Sequence, residues 1–408
     1  MSKLTSAKDY IAREDKFGAH NYHPLPVVLE KGKGVFVWDV EGKKYFDFLA
    51  AYSAVNQGHC HPKIAKALTD QANTLALTSR AFYNNVLGEW EEYMTKLFGY
   101  DRMLPMNSGA EADETALKLI RKWAYKVKGI PDKNAKIVVC NGNFHGRTIT
   151  IISMSSDPDA RGDYGPYTPG FINIPYNDLE RLEDELKDKN VAGFLVEPIQ
   201  AEAGVYVPED GYLKKASELC KKYNVLFVAD EVQTGLGRTG KMLACDHENV
   251  RPDILVLGKA LSGGIYPVSC VLADDEVMLT IKPGEHGSTY GGNPIAAKVA
   301  MAALDVIREE KLAENAMRLG EVFRNEMKSI DSYLIETVRG KGLLNAVAIK
   351  PTEGKTAWDV CLAMKENGLI AKPTHENIIR FTPPLVITED ELLEATRIIR
   401  KTFEELGV

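Results

Sequence analysis

Two side chains able to do chemistry stand at the ends of apolar runs. Asp230, followed by Glu231, closes the run Val225–Ala229, and Lys259 directly follows the run that starts at Ile254 and ends at Gly258. Short continuous apolar runs fit strands covered on both faces, as in a parallel sheet. Parallel strands present their carboxyl ends at one edge, where α/β proteins bind ligands. An acid and a lysine are therefore both expected to project at that edge. A lysine leaving a buried strand loses proton affinity by desolvation, which suits Schiff-base chemistry. Taken singly, the acid also reads as a cap and the lysine as a snorkelling cation.

Other features converge on the same chemistry. Ser108, Gly109, Ala110 and Glu111 have the form of a capping box opening a long helical pattern. Gly109 and Ala110 leave backbone N–H groups uncluttered at its positive end, where an anion can bind, although an ordinary N-cap is spelled the same way. Arg147 and Arg380 lie among apolar or small residues, Phe144–Arg147 and Ile378–Phe381. A guanidinium fork grips a carboxylate through two bonds, and a surface ion pair is its plainer use. An anion site, an acid, a lysine and two carboxylate clamps together describe pyridoxal 5'-phosphate chemistry on an amino acid. The phosphate would rest on the helix start, the lysine would form the Schiff base, and the acid would keep the pyridine nitrogen protonated.

Two further motifs carry less. Gly235–Gly240 spells the dinucleotide fingerprint, but Glu231–Thr234 separate it from the strand, no long helical period follows, and Asp253 precedes the next strand. As a P-loop it fails at Met242, where a Ser or Thr would hold magnesium. It reads as a glycine-rich turn, and an NAD-dependent dehydrogenase would rest on it alone. Gly58-His59-Cys60-His61 looks like a metal cluster, but adjacent residues point different ways and zinc ligands come as spaced pairs. It reads as a loop before the helix starting at Pro62, and no metal site is expected.

The elements that position these residues alternate between about Pro62 and Ala273. Helical periods cover Lys63–Thr74, Leu87–Phe98, Glu111–Val127 and Tyr212–Tyr223. Strand-like runs are Lys136–Cys140, Ile149–Met154, Gly193–Val196, Val225–Ala229, Ile254–Leu257 and Val268–Leu272. Such alternation predicts an α/β large domain with a mostly parallel sheet covered by helices. Beyond Gly287–Pro294 come a helix over Ile295–Glu310, β-like segments around Val338–Lys350 and Ile378–Phe381, and helices Trp358–Asn367 and Glu389–Leu406. They predict a smaller α+β domain. The expected division is an N-terminal segment, 1–55, packing with the small domain; a large cofactor-binding domain, 56–293; and the small domain, 294–408.

Composition narrows the partners. Of 408 residues, 45% are apolar and 26% charged, which excludes disorder, and the net charge of −7 without a basic tract excludes nucleic acid. The six cysteines lie at least 25 residues apart, so neither a CxxC motif nor a disulfide scaffold is present. Met1–Phe17 mixes both charge signs without an apolar stretch, and the nearly uncharged run Ile254–Ala273 is interrupted by Lys259, Gly263, Gly264 and Pro267. A soluble, cytoplasmic protein without a membrane partner is expected.

Asp230-Glu-Val-Gln233, with Lys259 29 residues after Asp230, resembles the signature of the class III (fold type I) pyridoxal-phosphate aminotransferases. The resemblance covers nearly the whole chain, and Ala19–Pro26, Ala54–Pro62 and Gly284–Pro294 are most similar to the ornithine-using members. It implies that Lys259 binds the cofactor and shuttles a proton, Asp230 pairs with the pyridine nitrogen, Gln233 bonds the ring hydroxyl and Phe144 stacks on the ring. Ser108, Gly109 and Ala110 would hold the phosphate, helped by Thr289 from a partner subunit, so that a homodimer is the minimal active unit. Tyr22, Tyr52 and Arg147 would position the α-amino and α-carboxylate end of L-ornithine, leaving its δ-amino group to react. Arg380 would clamp the α-carboxylate of 2-oxoglutarate, and Glu202 would neutralise Arg380 while ornithine is bound. Members acting on acetylornithine or 4-aminobutyrate are the alternatives, and Tyr22 argues against them because a free α-amino end needs a polar partner. One departure is Gln200-Ala-Glu202, where the family usually has Gln-Gly-Glu; it puts the loop's backbone geometry in question but keeps the carboxylate.

Overall fold

A seven-stranded sheet gathers the ends of the runs that carry Asp230 and Lys259. Its order is Arg102–Met106, Ser269–Ala273, Ile254–Leu257, Leu226–Asp230, Val191–Val196, Lys136–Cys140 and Phe171–Ile174. The five strands from Ile254–Leu257 onward are mutually parallel, and the other two pair antiparallel. The computed structural model describes residues 6–350, 352 and 355–407. The first five residues of the expected N-terminal segment, and 351, 353, 354 and 408 of the expected small domain, lie outside the described residues.

The apolar runs are continuous because both sheet faces are covered. Ile137, Val139, Leu195, Val228 and Val256 pack with the helix Gly109–Trp123, whereas Val138, Phe194, Val196 and Phe227 pack with Leu179–Leu186 and Tyr212–Lys222. The alternation of Cβ directions along each strand divides the two sets. Gly193 lets the first helix approach the sheet, since a Cβ there would lie 2.8 Å from Ile120.

A second, antiparallel sheet of Ile335–Lys341, Leu344–Ile349, Ile378–Phe381 and Lys372–Thr374 carries Arg380. Helices Leu312–Lys328, Ala357–Glu366 and Glu389–Glu405 accompany it. Strands Leu29–Lys33, Phe36–Asp39 and Lys44–Asp47 form a third sheet that the chain closes much later, when Leu369–Ile370 pairs parallel with Lys44–Asp47. The architecture is α/β with a mostly parallel central sheet and a smaller antiparallel-sheet domain. Among the described residues, no helix is long and apolar enough to cross a membrane.

The run Ile149–Met154 is not a strand; Ile149–Ser153 is helical. Its β-branched residues favour a strand, but it lies in the connection between Lys136–Cys140 and the parallel strand Phe171–Ile174, and such a crossover is usually helical. Phe171–Ile174 and Arg102–Met106 lack a legible strand pattern, being short edge strands carrying Asn173 and Pro105. The helix Leu312–Lys328 also went unread despite an apolar stripe of Leu312, Ala316, Leu319, Phe323 and Met327. Its Gly320 is needed for close approach, because a Cβ would come within 1.8 Å of the Gly342 carbonyl.

Candidate active site

Asp230 and Lys259 leave neighbouring parallel strands at the same edge, and Glu231 N donates to Val256 O at 3.0 Å to hold that register. Lys259 takes φ +43, in the left-handed region that non-glycine residues rarely enter. Its side chain is half-buried. Surrounding protein lowers its ammonium to about 8, with Asp230 opposing the fall and Arg380 adding to it. Such a lysine holds far more neutral amine near neutrality than an ordinary one.

Asp230, rather than Glu231, serves this edge. The Asp230 carboxylate accepts from Val232 N at 2.9 Å and from His145 Nδ1 at 2.6 Å. Glu231 is turned into the core, where it accepts from Thr234 Oγ1 (2.5 Å), Cys245 N (2.8 Å) and Ala244 N (3.0 Å) and fixes the following loop.

At the start of helix Gly109–Trp123 the capping box is complete. Ser108 Oγ accepts from Glu111 N at 3.2 Å, and Glu111 accepts from the N–H groups of Ser108 and Asn107 at 3.0 and 2.9 Å. The N–H groups of Gly109 and Ala110 have no partner among the described residues, which is the opening an anion requires. Gly146, at φ +125, lies so close that a Cβ would be 2.6 Å from that of Ala110, and a Cβ on Gly109 would meet Val232 at 3.1 Å. The Phe144–Arg147 loop and the turn after Asp230 are thereby packed onto the helix start. Open N–H groups, an acid and a lysine of lowered proton affinity fit pyridoxal phosphate. Phe144 is half-buried, and its N–H donates to Glu197 at 3.0 Å. Thr289 is exposed on a loop whose Ser288 accepts from Asn107 at 2.8 Å.

Arg380 is buried and donates through Nη1 to Glu202 at 3.0 Å and to Gln233 Oε1 at 3.3 Å. Its guanidinium lies 4.9 Å from the Tyr52 ring centroid. Nε and Nη2 have no partner among the described residues, so two donors of the fork are left for a carboxylate. Ala201 is fully buried with Ile199, Val205, Leu344 and Ala346. Its φ lies outside the left-handed region, so the methyl that departs from the usual glycine is packed without strain.

Tyr22 and Tyr52 line a cavity of about 450 Å³ together with Lys372. The Lys372 ammonium is 3.4 Å from Tyr52 Oη and 5.6 Å from the Tyr22 ring centroid. Arg147 does not line that cavity; it is exposed, 5.6 Å from the Phe144 ring centroid. The structure thus joins Tyr22 to Tyr52, and Arg380 to Glu202 and Gln233, while Arg147 stands with Phe144.

Sequence reasoning missed a buried cluster behind Asp230. Ligating atoms of Asp113, His145 and Asp230 lie within 4.8 Å of one another. Burial, then the charges of Asp230 and Glu197, hold the Asp113 carboxyl well above the usual carboxylate range. Burial likewise pushes Glu197 up to about 8. For His145 burial acts downward, but the bond to Asp230 and the nearby acid charges prevail and raise its pKa. The signal was available: His145 stands inside the Phe144–Arg147 stretch, and Asp113 lies on the apolar face of the helix. The His59–His61 pair has no common focus, since His59 bonds Asp47 at 2.7 Å and His61 bonds Glu310 at 2.9 Å.

A family profile described as aminotransferase class-III matches residues 17–403. A Drosophila melanogaster protein named ornithine aminotransferase, mitochondrial, is 65% identical over 392 residues, covering 96% of this chain and 90% of its own length. A solved ornithine aminotransferase from Toxoplasma gondii superposes with a TM-score of 0.97 at 51% identity, covering 99% of this chain and 95% of that one; its description mentions PLP at the active site. A solved structure called acetylornithine aminotransferase, from Elizabethkingia anophelis, has a TM-score of 0.91 at 61% identity over 98% of this chain and 100% of its own. The mitochondrial name of the Drosophila relative overturns the cytoplasmic expectation. The described cysteines are free thiols, five of the six buried; that suits any reducing compartment and does not choose between them.

Proposed function

The chain belongs to the class-III aminotransferases, and we propose that it moves the δ-amino group of L-ornithine to 2-oxoglutarate. The products are glutamate 5-semialdehyde, which cyclises to pyrroline-5-carboxylate, and glutamate. Arg380 carries this reading: a buried guanidinium holds Glu202 at 3.0 Å while two of its nitrogens keep no partner among the described residues. A site that accepts one substrate with a carboxylate beside its reacting carbon and another without one needs a clamp that can be neutralised. Assays of ornithine, N-acetylornithine and 4-aminobutyrate, each with 2-oxoglutarate, test the reading. Ornithine should have the highest kcat/KM and yield pyrroline-5-carboxylate; preference for either of the others would overturn it.

When bound, pyridoxal phosphate supplies an electron-withdrawing ring that carries the amino group between the two substrates. Gly109 and Ala110 hold the phosphate through their open N–H groups, in the position Ser108 and Glu111 fix. Asp230 would keep a proton on the pyridine nitrogen, and Phe144 would stack on the ring. Gln233 accepts from Arg380 through Oε1, which leaves its amide N–H groups for the ring hydroxyl. Lys259 Nζ takes the proton from the reacting carbon of ornithine and, in the second half-reaction, returns one to the reacting carbon of the oxo acid. Tyr22 and Tyr52 from their shared cavity, and Arg147 from the Phe144–Arg147 loop outside it, would orient the α-amino and α-carboxylate end of ornithine. Arg380 binds the α-carboxylate of 2-oxoglutarate once Glu202 gives way.

The minimal active unit is a homodimer in which Thr289 of each chain completes the other's phosphate site. Exposed Phe82, Tyr83 and Tyr290 support this. Their two loops adjoin, since a Cβ on Gly292 would meet Arg80 at 3.1 Å, and grouped exposed aromatics mark an interface. Residues 56–293 act as the cofactor-binding unit and 294–408 as the small domain. Pairing of Lys44–Asp47 with Leu369–Ile370 supports grouping 1–55 with the latter.

A further inference from the structure

The glycine-rich turn Gly235–Gly240 buries a guanidinium. Arg238 is fully buried, yet it bonds no acid among the described residues. Nη1 donates to the carbonyls of Leu343 (2.9 Å) and Pro383 (2.7 Å), and Nη2 donates to Asn56 Oδ1 (2.6 Å). The Arg238 carbonyl accepts from Leu343 N at 3.1 Å. Asn56 closes the circuit, donating to Leu236 O at 3.1 Å and accepting from Leu385 N at 2.7 Å. The approach is tight, for a Cβ on Gly342 would meet Thr239 at 2.4 Å.

Burying a cation without a counter-ion is costly, and acceptors from three chain segments offset only part of that cost. Burial lowers the Arg238 pKa to about 9, with Asp47 opposing and the Arg380 charge adding to the fall. Two of the tethered segments, those of Asn56 and Pro383, and the segment that bears Arg238 itself each carry one member of the Arg380 cluster. Tyr52 lies four residues before Asn56, Gln233 five before Arg238, and Arg380 three before Pro383. Between the last two, Thr382 is pinned to Phe48 O (2.7 Å) and Leu49 O (2.9 Å).

We infer that Arg238 is a positioning residue, which sets the Arg380 guanidinium against Gln233 and Tyr52 by tying together the three segments that bear them. Only the fork geometry reaches these diverging acceptors; a lysine would keep a charge but not the ties. The inference rests on Arg380 being the clamp for the oxo-acid carboxylate. Its consequence is asymmetric, because the ornithine half-reaction proceeds with Arg380 neutralised by Glu202.

The test measures the two half-reactions separately, in single turnovers of the cofactor-loaded protein. Arg238→Lys should raise the half-saturating concentration of 2-oxoglutarate by up to about 100-fold, the loss a misplacement of about 1 Å can cause. The limiting rate and half-saturation for ornithine should change several-fold less, since only the oxo-acid step uses the Arg380 fork directly. In Arg380→Lys, adding Arg238→Lys should bring little further loss, because the effect passes through Arg380. Equal damage to both half-reactions, or full additivity in the double variant, would overturn the inference. If Arg380→Lys alone leaves the oxo-acid step unchanged, the clamp reading fails; if it weakens that step and Arg238→Lys does not, positioning fails by itself. Should Arg238→Lys not fold, Asn56→Ala, which removes the Nη2 acceptor, should shift the oxo-acid step in the same direction, and its failure to do so would also overturn the inference.

Discussion

Arg380, on the strand Ile378–Phe381, donates to Glu202 at 3.0 Å, and its Nε and Nη2 have no partner among the described residues. The ion pair is therefore incomplete. Glu202 cancels the charge without saturating the fork, and it is the more exposed partner, at 33% of its side-chain surface against 1% for Arg380.

Glu202→Ala should expose that charge to ornithine. An unneutralised Arg380 attracts the α-carboxylate and presents the α-amino group to the reacting position. Discrimination between the two amino groups should weaken, while glutamate binding and turnover survive or improve. Separating the cyclic imines formed by δ- and α-transfer measures this, and wild-type regiochemistry with wild-type glutamate kinetics would show that the pair is not a switch.

Lys259→Ala should leave the fold intact and abolish multiple turnover. In the wild-type protein freed of cofactor, the lowered ammonium makes a pH prediction. Neutral amine accumulates as pH rises towards about 8, so the rate of covalent cofactor attachment should climb to that pH and then level. A rate still climbing steeply at pH 10, near the ordinary lysine value of about 10.4, would contradict the assignment.

Glu197→Gln probes the buried cluster. Burial holds the folded-state carboxyl near 8, above its ordinary value of 4.5, so the folded state binds more protons than the unfolded state between those limits. Stability must then fall as pH rises through that window. Glutamine keeps the acceptor for Phe144 N and removes the titration. In cofactor-free protein, thermal melts from pH 5 to 8 should fall more steeply for wild type than for the variant. Parallel curves would mean that Glu197 ionises normally.

Shared sites would show themselves in mixed dimers. Lys259→Ala and a bulky replacement such as Thr289→Tyr should each inactivate the homodimer. Co-assembly should restore up to about a quarter of wild-type activity, since each mixed dimer keeps one intact site of two and half the dimers are mixed. No restoration in demonstrably mixed dimers would place Thr289 in its own chain's site.

How much was legible follows from what each pattern reports. Leu87–Phe98 and Ile254–Leu257 were placed to the residue, because the first is amphipathic with Gly99 as a left-handed cap and the second is buried on both faces. The edge where Asp230 and Lys259 meet followed from parallel strands alone. The run at Ile149 misled because local propensity cannot express the need for a helical crossover. Neither the Asp113–Glu197 cluster behind Asp230 nor the separate ties of Arg238 could be read as a whole, since buried polar clusters form from segments far apart in sequence. Lys372 was missed for the same reason: its neighbours Tyr22 and Tyr52 lie more than 300 residues away along the chain.

The most direct measurement is the fate of nitrogen. The protein, supplied with pyridoxal phosphate and 2-oxoglutarate, is given ornithine labelled with ¹⁵N at either the δ or the α position, and the glutamate formed is analysed by mass. Label from the δ position should appear in glutamate, and label from the α position should remain in pyrroline-5-carboxylate. Label passing from the α position into glutamate, or no transfer from ornithine while N-acetylornithine reacts, would contradict the account.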